Sequence, residues 1–303
     1  MRKLSAILVV GSTFGLGASP AAGQGYGQSV AVTAEDVLVG ESLNERRLGA
    51  VYVYRRSGGS WAEAQRLEAD DATDGDHFGR SLGTSGDQLL IGATVVDDTR
   101  GAVYVFERDA TGTWSQIDRI MASDGVDGDA FGRSMTVSGD VALVSSWANT
   151  DSRGAVYVLR RGPGGAWAEE AKLMASDGQP NDLFGWSLAT EGTHIFVGAA
   201  QRNQARGGVY VFRQDADGAW TETEILEIED GDPRTQFGAA VAVRDGMAMV
   251  GAPGANGFVG AVHSYALNED SGSWESAGVI NPFDGQRGTQ FGVSITPYQS
   301  EEV

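Results

Sequence analysis

The sequence contains no cysteine among its 303 residues. Disulfides, thiolate metal sites and a cysteine nucleophile are therefore excluded, and packing and hydrogen bonds must hold the folded state. Serine nucleophile elbows of the Gly-x-Ser-x-Gly type, phosphate-cradling loops and His-x-x-x-His metal spacings are also missing. No segment keeps a sustained helical period or a helix-length stretch free of glycine. These absences argue against the common hydrolase and nucleotide-binding motifs and against a helical fold.

Positive charge is scarce, and the formal net charge at pH 7 is −19. A surface this acidic repels nucleic-acid phosphates and anionic membranes, so neither is expected as a partner. It favours solubility and attracts cations weakly. A solvated acidic coat without any specific partner explains the same composition.

Long apolar runs are also absent beyond the first residues of the chain. Arg2 and Lys3 precede a mostly apolar stretch, 4–16, and a small-residue zone, 18–23. The apolar stretch is shorter than the roughly 20 residues that a membrane-spanning helix needs. This order of segments predicts a cleaved signal peptide over 1–23 and a soluble mature protein, 24–303, that is secreted, periplasmic or held at the cell surface.

A repeat of about 53 residues organises the rest of the chain. Phe-Gly pairs recur at intervals of 53, 53, 53 and 54 residues, beginning at Phe78, Phe131, Phe184, Phe237 and Phe291. An aromatic variant, Tyr26-Gly27, stands 52 residues before the first pair. A Gly-Ala-Val-Tyr marker and a tryptophan series keep the same phase. A fixed period near 50 residues is typical of propellers and solenoids.

Each repeat carries the local signals of strands. Runs such as Val103-Tyr104-Val105-Phe106 combine β-branched and aromatic residues between glycine and turn residues. We interpret each repeat as four short antiparallel strands, which form one blade of an all-β propeller. The repeats start near 26, 78, 131, 184 and 237, and a partial one starts at 291. The prediction is five full blades with an extra terminal strand over 291–298; six or seven blades would leave strands missing and edges exposed.

The repeat resembles a known family. The aromatic-Gly pair, the Gly251-Ala252-Pro253 element and the Gly-Ala-Val-Tyr marker are similar to the FG-GAP repeat of integrin α-subunit propellers and of bacterial secreted proteins. The second of these elements is loose, and Ser145-Ser146-Trp147 departs from it. The resemblance implies a β-propeller over about 26–298. The family's calcium loops, between the first two strands of a blade, are not carried over, because connections such as 84–87 are too short and too poor in carboxylates.

Acidic residues cluster instead in the loops that lead into each Phe-Gly pair. One aspartate always stands seven residues before the phenylalanine, and a second often stands two before it. Carboxylates with glycines for tight turns suit calcium, which makes candidates of Asp71, Asp74, Asp76, Asp124, Asp127 and Asp129. No cofactor is otherwise required. The simpler alternative is that these aspartates cap their own turns through Asx bonds.

The loop between the second and third strands changes in chemistry while its frame stays constant, so we expect partner contacts there. The candidate partner-binding residues are Trp147, Asn149, Asp151, Asp97, Asp98 and Asn203. Without a distinctive catalytic constellation, the sequence favours a non-catalytic binding, adhesion or scaffold propeller that engages an extracellular protein or glycan. The alternative is a secreted hydrolase or lyase with its site at the central channel, because propellers host many chemistries.

Overall fold

The computed structural model describes residues 25–43, 48–228 and 231–296. The predicted signal peptide, 1–23, lies outside the described residues. No helix in the described part is long and apolar enough to span a bilayer.

The described residues form twenty strands in five sheets of four. The strands of the first three blades are β1 Tyr26–Val32, β2 Asp36–Glu41, β3 Ala50–Ser57, β4 Ser60–Leu67; β5 Leu82–Ser85, β6 Gln88–Ala93, β7 Ala102–Arg108, β8 Trp114–Ile120; and β9 Met135–Ser138, β10 Val141–Ser146, β11 Ala155–Arg161, β12 Trp167–Leu173. Those of the last two are β13 Ser187–Glu191, β14 His194–Gly198, β15 Val209–Gln214, β16 Trp220–Leu226; and β17 Ala240–Arg244, β18 Met247–Ala252, β19 Ala261–Leu267, β20 Trp274–Ile280.

Each sheet runs in sequence order with every neighbouring pair antiparallel, which confirms the predicted four-stranded blade. A β-bulge interrupts the pairing of the third and fourth strands at the same place in every blade, as at Val105/Phe106 in blade 2. Three four-residue helical segments follow the second strands of blades 3, 4 and 5: α1 Asn149–Ser152, α2 Arg202–Ala205 and α3 Ala255–Phe258.

The hydrophobic core lies between blades rather than within them. Four apolar clusters are present in the described residues, and each joins the side chains of one blade to those of the next. The first strands of successive blades also touch, from β1 to β5, β9, β13 and β17. No fifth cluster and no contact of comparable extent join blade 5 to blade 1 in the part of the chain that the structure describes.

The phenylalanine of each internal Phe-Gly pair plugs a junction between two blades. Phe78, Phe131, Phe184 and Phe237 are completely buried. The ring of Phe131 meets that of Tyr157 edge to face, with centroids 5.3 Å apart. The glycine that opens the Gly-Ala-Val-Tyr marker lets the backbone of the next plug approach closely. Gly154, for example, has a φ of +90°, and a Cβ there would lie 2.1 Å from the Phe184 carbonyl oxygen.

The tryptophans lie at the start of the fourth strand of each blade, at the sheet edge opposite the first strand. Trp114, Trp167 and Trp274 insert between blades, where they are only 2–5% exposed. Each ring packs on the preceding blade, as Trp274 does on Phe196 with ring centroids 4.8 Å apart.

The final Phe-Gly pair begins as the other pairs do. Phe291 forms the same isolated parallel bridge, to Gly260, that Phe131 forms to Gly101. The sequence predicts an extra terminal strand over 291–298. Its described part, 291–296, forms this single bridge and no continuous strand pairing.

Candidate functional site: the loop face

The loops between the second and third strands share an uncommon backbone conformation. We call the end of the blades that carries them the loop face; in blades 2 to 5 the loops are 94–100, 147–153, 201–206 and 254–259. In each loop three consecutive residues have positive φ: 97–99, 150–152, 203–205 and 256–258. A left-handed turn costs about 1–2 kcal/mol for each non-glycine residue, so its recurrence in four blades calls for a compensating interaction.

That interaction is a backbone connection to the next blade. The Ala130 N–H donates to the Thr99 carbonyl (2.7 Å) and the Phe131 N–H to the Arg100 carbonyl (2.8 Å). The same bonds recur at the later junctions; Phe184, for example, donates to the Arg153 carbonyl. The left-handed turn therefore points its carbonyl groups at the linker that carries the next plug. Loops that the sequence predicts as partner contacts also hold the blades together.

The predicted partner residues divide into two groups. Asp98, Asp151 and Asn203 are exposed on the loop face. Asp97 is also exposed, and its carboxylate forms an ion pair with Arg119. The structure corrects the prediction that Asn149 contacts a partner. Asn149 is 4% exposed, and its amide donates to Asp129 Oδ2 at 2.9 Å, so it holds a loop in place and cannot contact a partner.

Trp147 lies in an aromatic stack that joins blades 3 and 4. Its ring centroid is 4.8 Å from that of Trp186, and the Arg133 guanidinium lies 4.1 Å above it. The Trp147 indole N–H is buried without a hydrogen-bond partner among the described residues. We call these three residues the Trp–Arg stack. Sequence reasoning did not select Trp186, although it replaces the arginine that follows Phe-Gly at Arg80 and Arg133.

The aspartates seven residues before the plugs accept hydrogen bonds from tyrosines of the following blade. The pairs are Tyr104 to Asp71 (2.8 Å), Tyr157 to Asp124 (2.7 Å) and Tyr210 to Asp177 (2.6 Å). Lys172 also reaches Asp124 at 2.7 Å, and together with the Tyr157 hydroxyl it lowers the pKa of that carboxyl group. These carboxylates therefore connect linker to blade.

The aspartates two residues before the plugs are buried and fold their own loops. Asp76 Oδ1 accepts the Phe78 N–H at 2.9 Å, and Asp129 Oδ2 accepts the Val126 N–H at 3.0 Å. Burial raises the pKa of Asp76 even though these N–H groups oppose the shift. Of the remaining calcium candidates, Asp127 pairs with Arg100 at 2.8 Å and Asp74 is exposed. No group of three or more potential metal ligands is assembled in the described ranges, and calcium binding stays a prediction.

A pocket of about 480 Å³ opens on the loop face where blades 4 and 5 meet. We call it the amide pocket, because four of its seven lining residues carry a side-chain amide; the lining is Asn181, Gln201, Gln204, Gln236, Arg234, Ala205 and Phe258. Its lining comes from the left-handed turns of two blades and from the linkers that bond to them. None of its amide side chains, nor the Arg234 guanidinium, has a hydrogen bond to another described residue.

The opposite end of the blades carries a buried charge cluster. Asp36 is fully buried and accepts hydrogen bonds from Arg55 (2.6 and 2.9 Å) and from the Trp114 indole (3.1 Å), while Arg108 Nε lies 3.2 Å away. Burial alone would raise the pKa of Asp36, but these donors outweigh it and the pKa is lowered. The cluster ties blade 1 to blade 2, and nothing in the repeat pattern pointed to it.

Comparison with known proteins identifies the repeat. Residues 61–106, 114–159 and 167–212 each match the FG-GAP repeat. Every matched segment begins at the tryptophan of one blade and ends in the third strand of the next, so the family unit spans a junction and contains its plug. No curated protein matches the chain.

Proposed function

We propose that this chain, which is an FG-GAP repeat protein, is an exported, non-catalytic binding propeller that engages an extracellular partner through its loop face. The amide pocket carries the proposal and favours a neutral glycan as the partner. The Trp–Arg stack supplies a second contact surface on the same face. A protein partner is the second possibility, and the experiment below separates the two.

The chemistry of the amide pocket suits hydroxyl groups. Each amide of Gln201, Gln204 and Gln236 can both donate and accept, and a sugar hydroxyl does the same. Phe258 offers an apolar ring for the C–H face of a sugar, and Arg234 adds further donors. A pocket of about 480 Å³ lies within the usual range for small-ligand sites. No carboxylate lines the pocket, although the chain as a whole is strongly acidic.

The pocket also departs from the repeat. The position of Gln204 is held by Asp98 and Asp151 in blades 2 and 3, and that of Phe258 by Thr99 and Ser152. The backbone of the turn is the same in each blade. A repeated frame with one set of unlike side chains is the pattern that a binding site imposes on a repeat protein.

The histidines support binding over catalysis. They lie in three different environments: His77 near Thr94, His194 against Trp274 and His263 against Phe237. Burial lowers the pKa of both His194 and His263. No two of these three described residues are brought together, and none lines the amide pocket. We therefore favour a binding protein over an enzyme with its site at the central channel.

The test begins with a glycan array that carries neutral and acidic oligosaccharides. The strongest neutral glycan is then titrated by calorimetry into the wild type, Gln204→Ala, Phe258→Ala and an Asp87→Ala control, whose change lies at the opposite end of the blades. Loss of one hydrogen bond worth about 1 kcal/mol should weaken binding about fivefold for Gln204→Ala. Phe258→Ala should weaken it at least as much, and Asp87→Ala should not change it.

Two results would overturn the glycan assignment. One is an array on which no neutral glycan is retained above background. The other is a glycan whose affinity is the same for the wild type and both pocket variants. If a purified extracellular protein binds instead and Trp147→Ala or Trp186→Ala weakens it, the loop face is a protein-binding surface and the Trp–Arg stack is its centre.

A further inference from the structure

Every internal blade has two faces that neighbouring blades cover. The leading face packs on the preceding blade and carries the tryptophan of the fourth strand. The trailing face packs on the following blade and carries the last apolar residue of the fourth strand. Blades 2, 3 and 4 have both faces covered, whereas blade 1 has no predecessor and blade 5 has no successor among the described residues.

The leading face of blade 1 is apolar and open. Trp61 is 41% exposed, whereas its counterparts Trp114 and Trp274 are 2% and 5% exposed. On the second strand Val39 is half-buried, although the residues at the same position in the other blades are fully buried: Ile91, Val144, Val197 and Val250. Blade 1 thus presents to solvent the residue types that blades 2, 3 and 5 bury, whereas Trp220 of blade 4 is half-buried.

The trailing face of blade 5 is open in the same way. Ile280 is 44% exposed, whereas its counterparts Leu67 and Leu226 are 2% and 5% exposed. Phe291 is half-buried, although the four internal phenylalanine plugs are fully buried: Phe78, Phe131, Phe184 and Phe237. A cavity of about 420 Å³ lies between this face and the segment after the plug, lined by Met249, Val262, Ile280 and 289–295. At internal junctions the next blade covers this position.

Residues that would meet across these two faces are matched by position. At internal junctions the tryptophan of one blade reaches the start of the second strand of its predecessor, as Trp114 reaches Asp36 (3.1 Å) and Trp167 reaches Gln88 (2.8 Å). The equivalent position in blade 5 is Met247, which is 41% exposed. A thioether is a favourable partner for an aromatic ring. Trp61 and Met247 are therefore a complementary pair, and neither has such a packing partner among the described residues.

We propose that a second copy of this chain docks the leading face of its blade 1 on the trailing face of blade 5, so that copies associate head to tail. The four internal junctions of the same chain identify the occupant, because each shows a leading face seated on a trailing face. This inference rests on the blade faces and is independent of the glycan proposal.

Such a junction has room for one aromatic–glycine plug. Blade 1 already holds its own: the rings of Tyr26 and Tyr52 meet edge to face at 5.6 Å, as those of Phe78 and Tyr104 do at 5.5 Å. Tyr26 continues directly into β1, which pairs along β2. The segment that starts at Phe291 has only its bridge to Gly260, and its Val293 is 61% exposed. We therefore expect the segment that starts at Phe291 to be displaced when the second copy docks.

A head-to-tail contact is heterologous, so it leaves one open face at each end and adds further copies unless a ring closes. The net charge of −19 on each copy opposes association. Added salt screens this repulsion, so the mass at a given protein concentration should rise with ionic strength.

The test measures molar mass by light scattering and sedimentation velocity over a concentration series. Trp61→Glu charges the leading face, and Ile280→Glu charges the trailing face. Ile117→Glu is the matched control, because Ile117 is 49% exposed on the fourth strand of blade 2, away from both open faces. The wild type and Ile117→Glu should gain mass with concentration. Each open-face variant alone should remain a monomer.

A mixture of the two variants makes the test specific. Trp61→Glu keeps an intact trailing face and Ile280→Glu an intact leading face, so an equimolar mixture should form dimers and nothing larger. The proposal is overturned if the wild type stays monomeric at every concentration and salt level, which includes closure of the ring within one chain. It is also overturned if neither variant reduces association, or if the mixture fails to produce dimers.

Discussion

Replacement of Asp36 by asparagine should destabilise the protein far more than the loss of an exposed ion pair would. The side chain is fully buried and accepts from Arg55 and Trp114, with Arg108 close by. An asparagine at this position would keep the shape but lose the charge that both guanidiniums face. Removing one partner of a buried ion pair costs about 3–5 kcal/mol. Arg55 and Arg108 are 30% and 17% exposed, and water would compensate part of this loss, so we expect about 2–4 kcal/mol.

The measurement is urea unfolding at pH 7, followed by tryptophan fluorescence. With a slope of about 3 kcal/mol/M, the midpoint should fall by about 1 M. Asp140→Asn is the matched control, because Asp140 pairs with Arg161 at 2.6 Å but is 60% exposed. An exposed pair contributes about 0–1 kcal/mol, so this variant should stay close to the wild type.

The pH dependence gives a second check. The pKa of Asp36 is lowered in the folded state, so its stabilisation is complete above the unfolded pKa near 3.8 and is lost as the pH falls through the lower folded value. The gap between wild type and Asp36→Asn should therefore narrow below about pH 4. A loss below about 0.5 kcal/mol at pH 7, or a gap that does not change in acid, would refute the account of this cluster.

Three further predictions concern the linkers and plugs. If the loops before Phe78 and Phe131 hold calcium, excess calcium should raise the melting temperature by several degrees and EDTA should reverse the rise; an unchanged midpoint would assign their aspartates to turns and tyrosine contacts alone. Tyr157→Phe removes the donor to Asp124 (2.7 Å) and should cost about 1–2 kcal/mol in urea unfolding; a neutral effect would mean that Lys172 alone satisfies the carboxylate. Gly154→Ala should cost more than about 2 kcal/mol, since a Cβ there meets the Phe184 carbonyl at 2.1 Å and φ is +90°, whereas Gly164→Ala, with no atom within 4 Å of its Cβ, should be mild; equal stability of the two variants would contradict the close approach.

Much of the fold could be predicted because the same sequence signals recur in every repeat. Strand runs, turns and plugs recur in phase, so each blade confirms the others. Even the tyrosine–aspartate contact left a signal: Asp71, Asp124 and Asp177 each stand 33 residues before their tyrosine. The spacing alone does not identify the contact, because aspartates at these positions also suit turns and calcium sites.

The contacts that the repeat does not share were beyond sequence reasoning. The position of Asp36 is held by Gln88, Val141, His194 and Met247 in the other blades, so no periodic signal marks it. Its partner Trp114 stands 78 residues away, and only the stacking of blades brings the two together. The amide pocket depends on the left-handed turns that aim two loops at two linkers. Propensity does not predict three successive residues of positive φ, because the conformation is stabilised by bonds to the next blade.

The stacking of blades in sequence order has a consequence for how the protein is made. Among the described residues, no side-chain hydrogen bond joins positions more than 79 residues apart, the separation of Trp167 and Gln88. Each blade needs only its predecessor and the plug that follows, so a chain emerging from the ribosome can complete one junction before the next is synthesised. Folding can then proceed from the N-terminal blade onward, and an arrest at any point would leave finished blades with two open faces, the leading face of blade 1 and the trailing face of the last blade made.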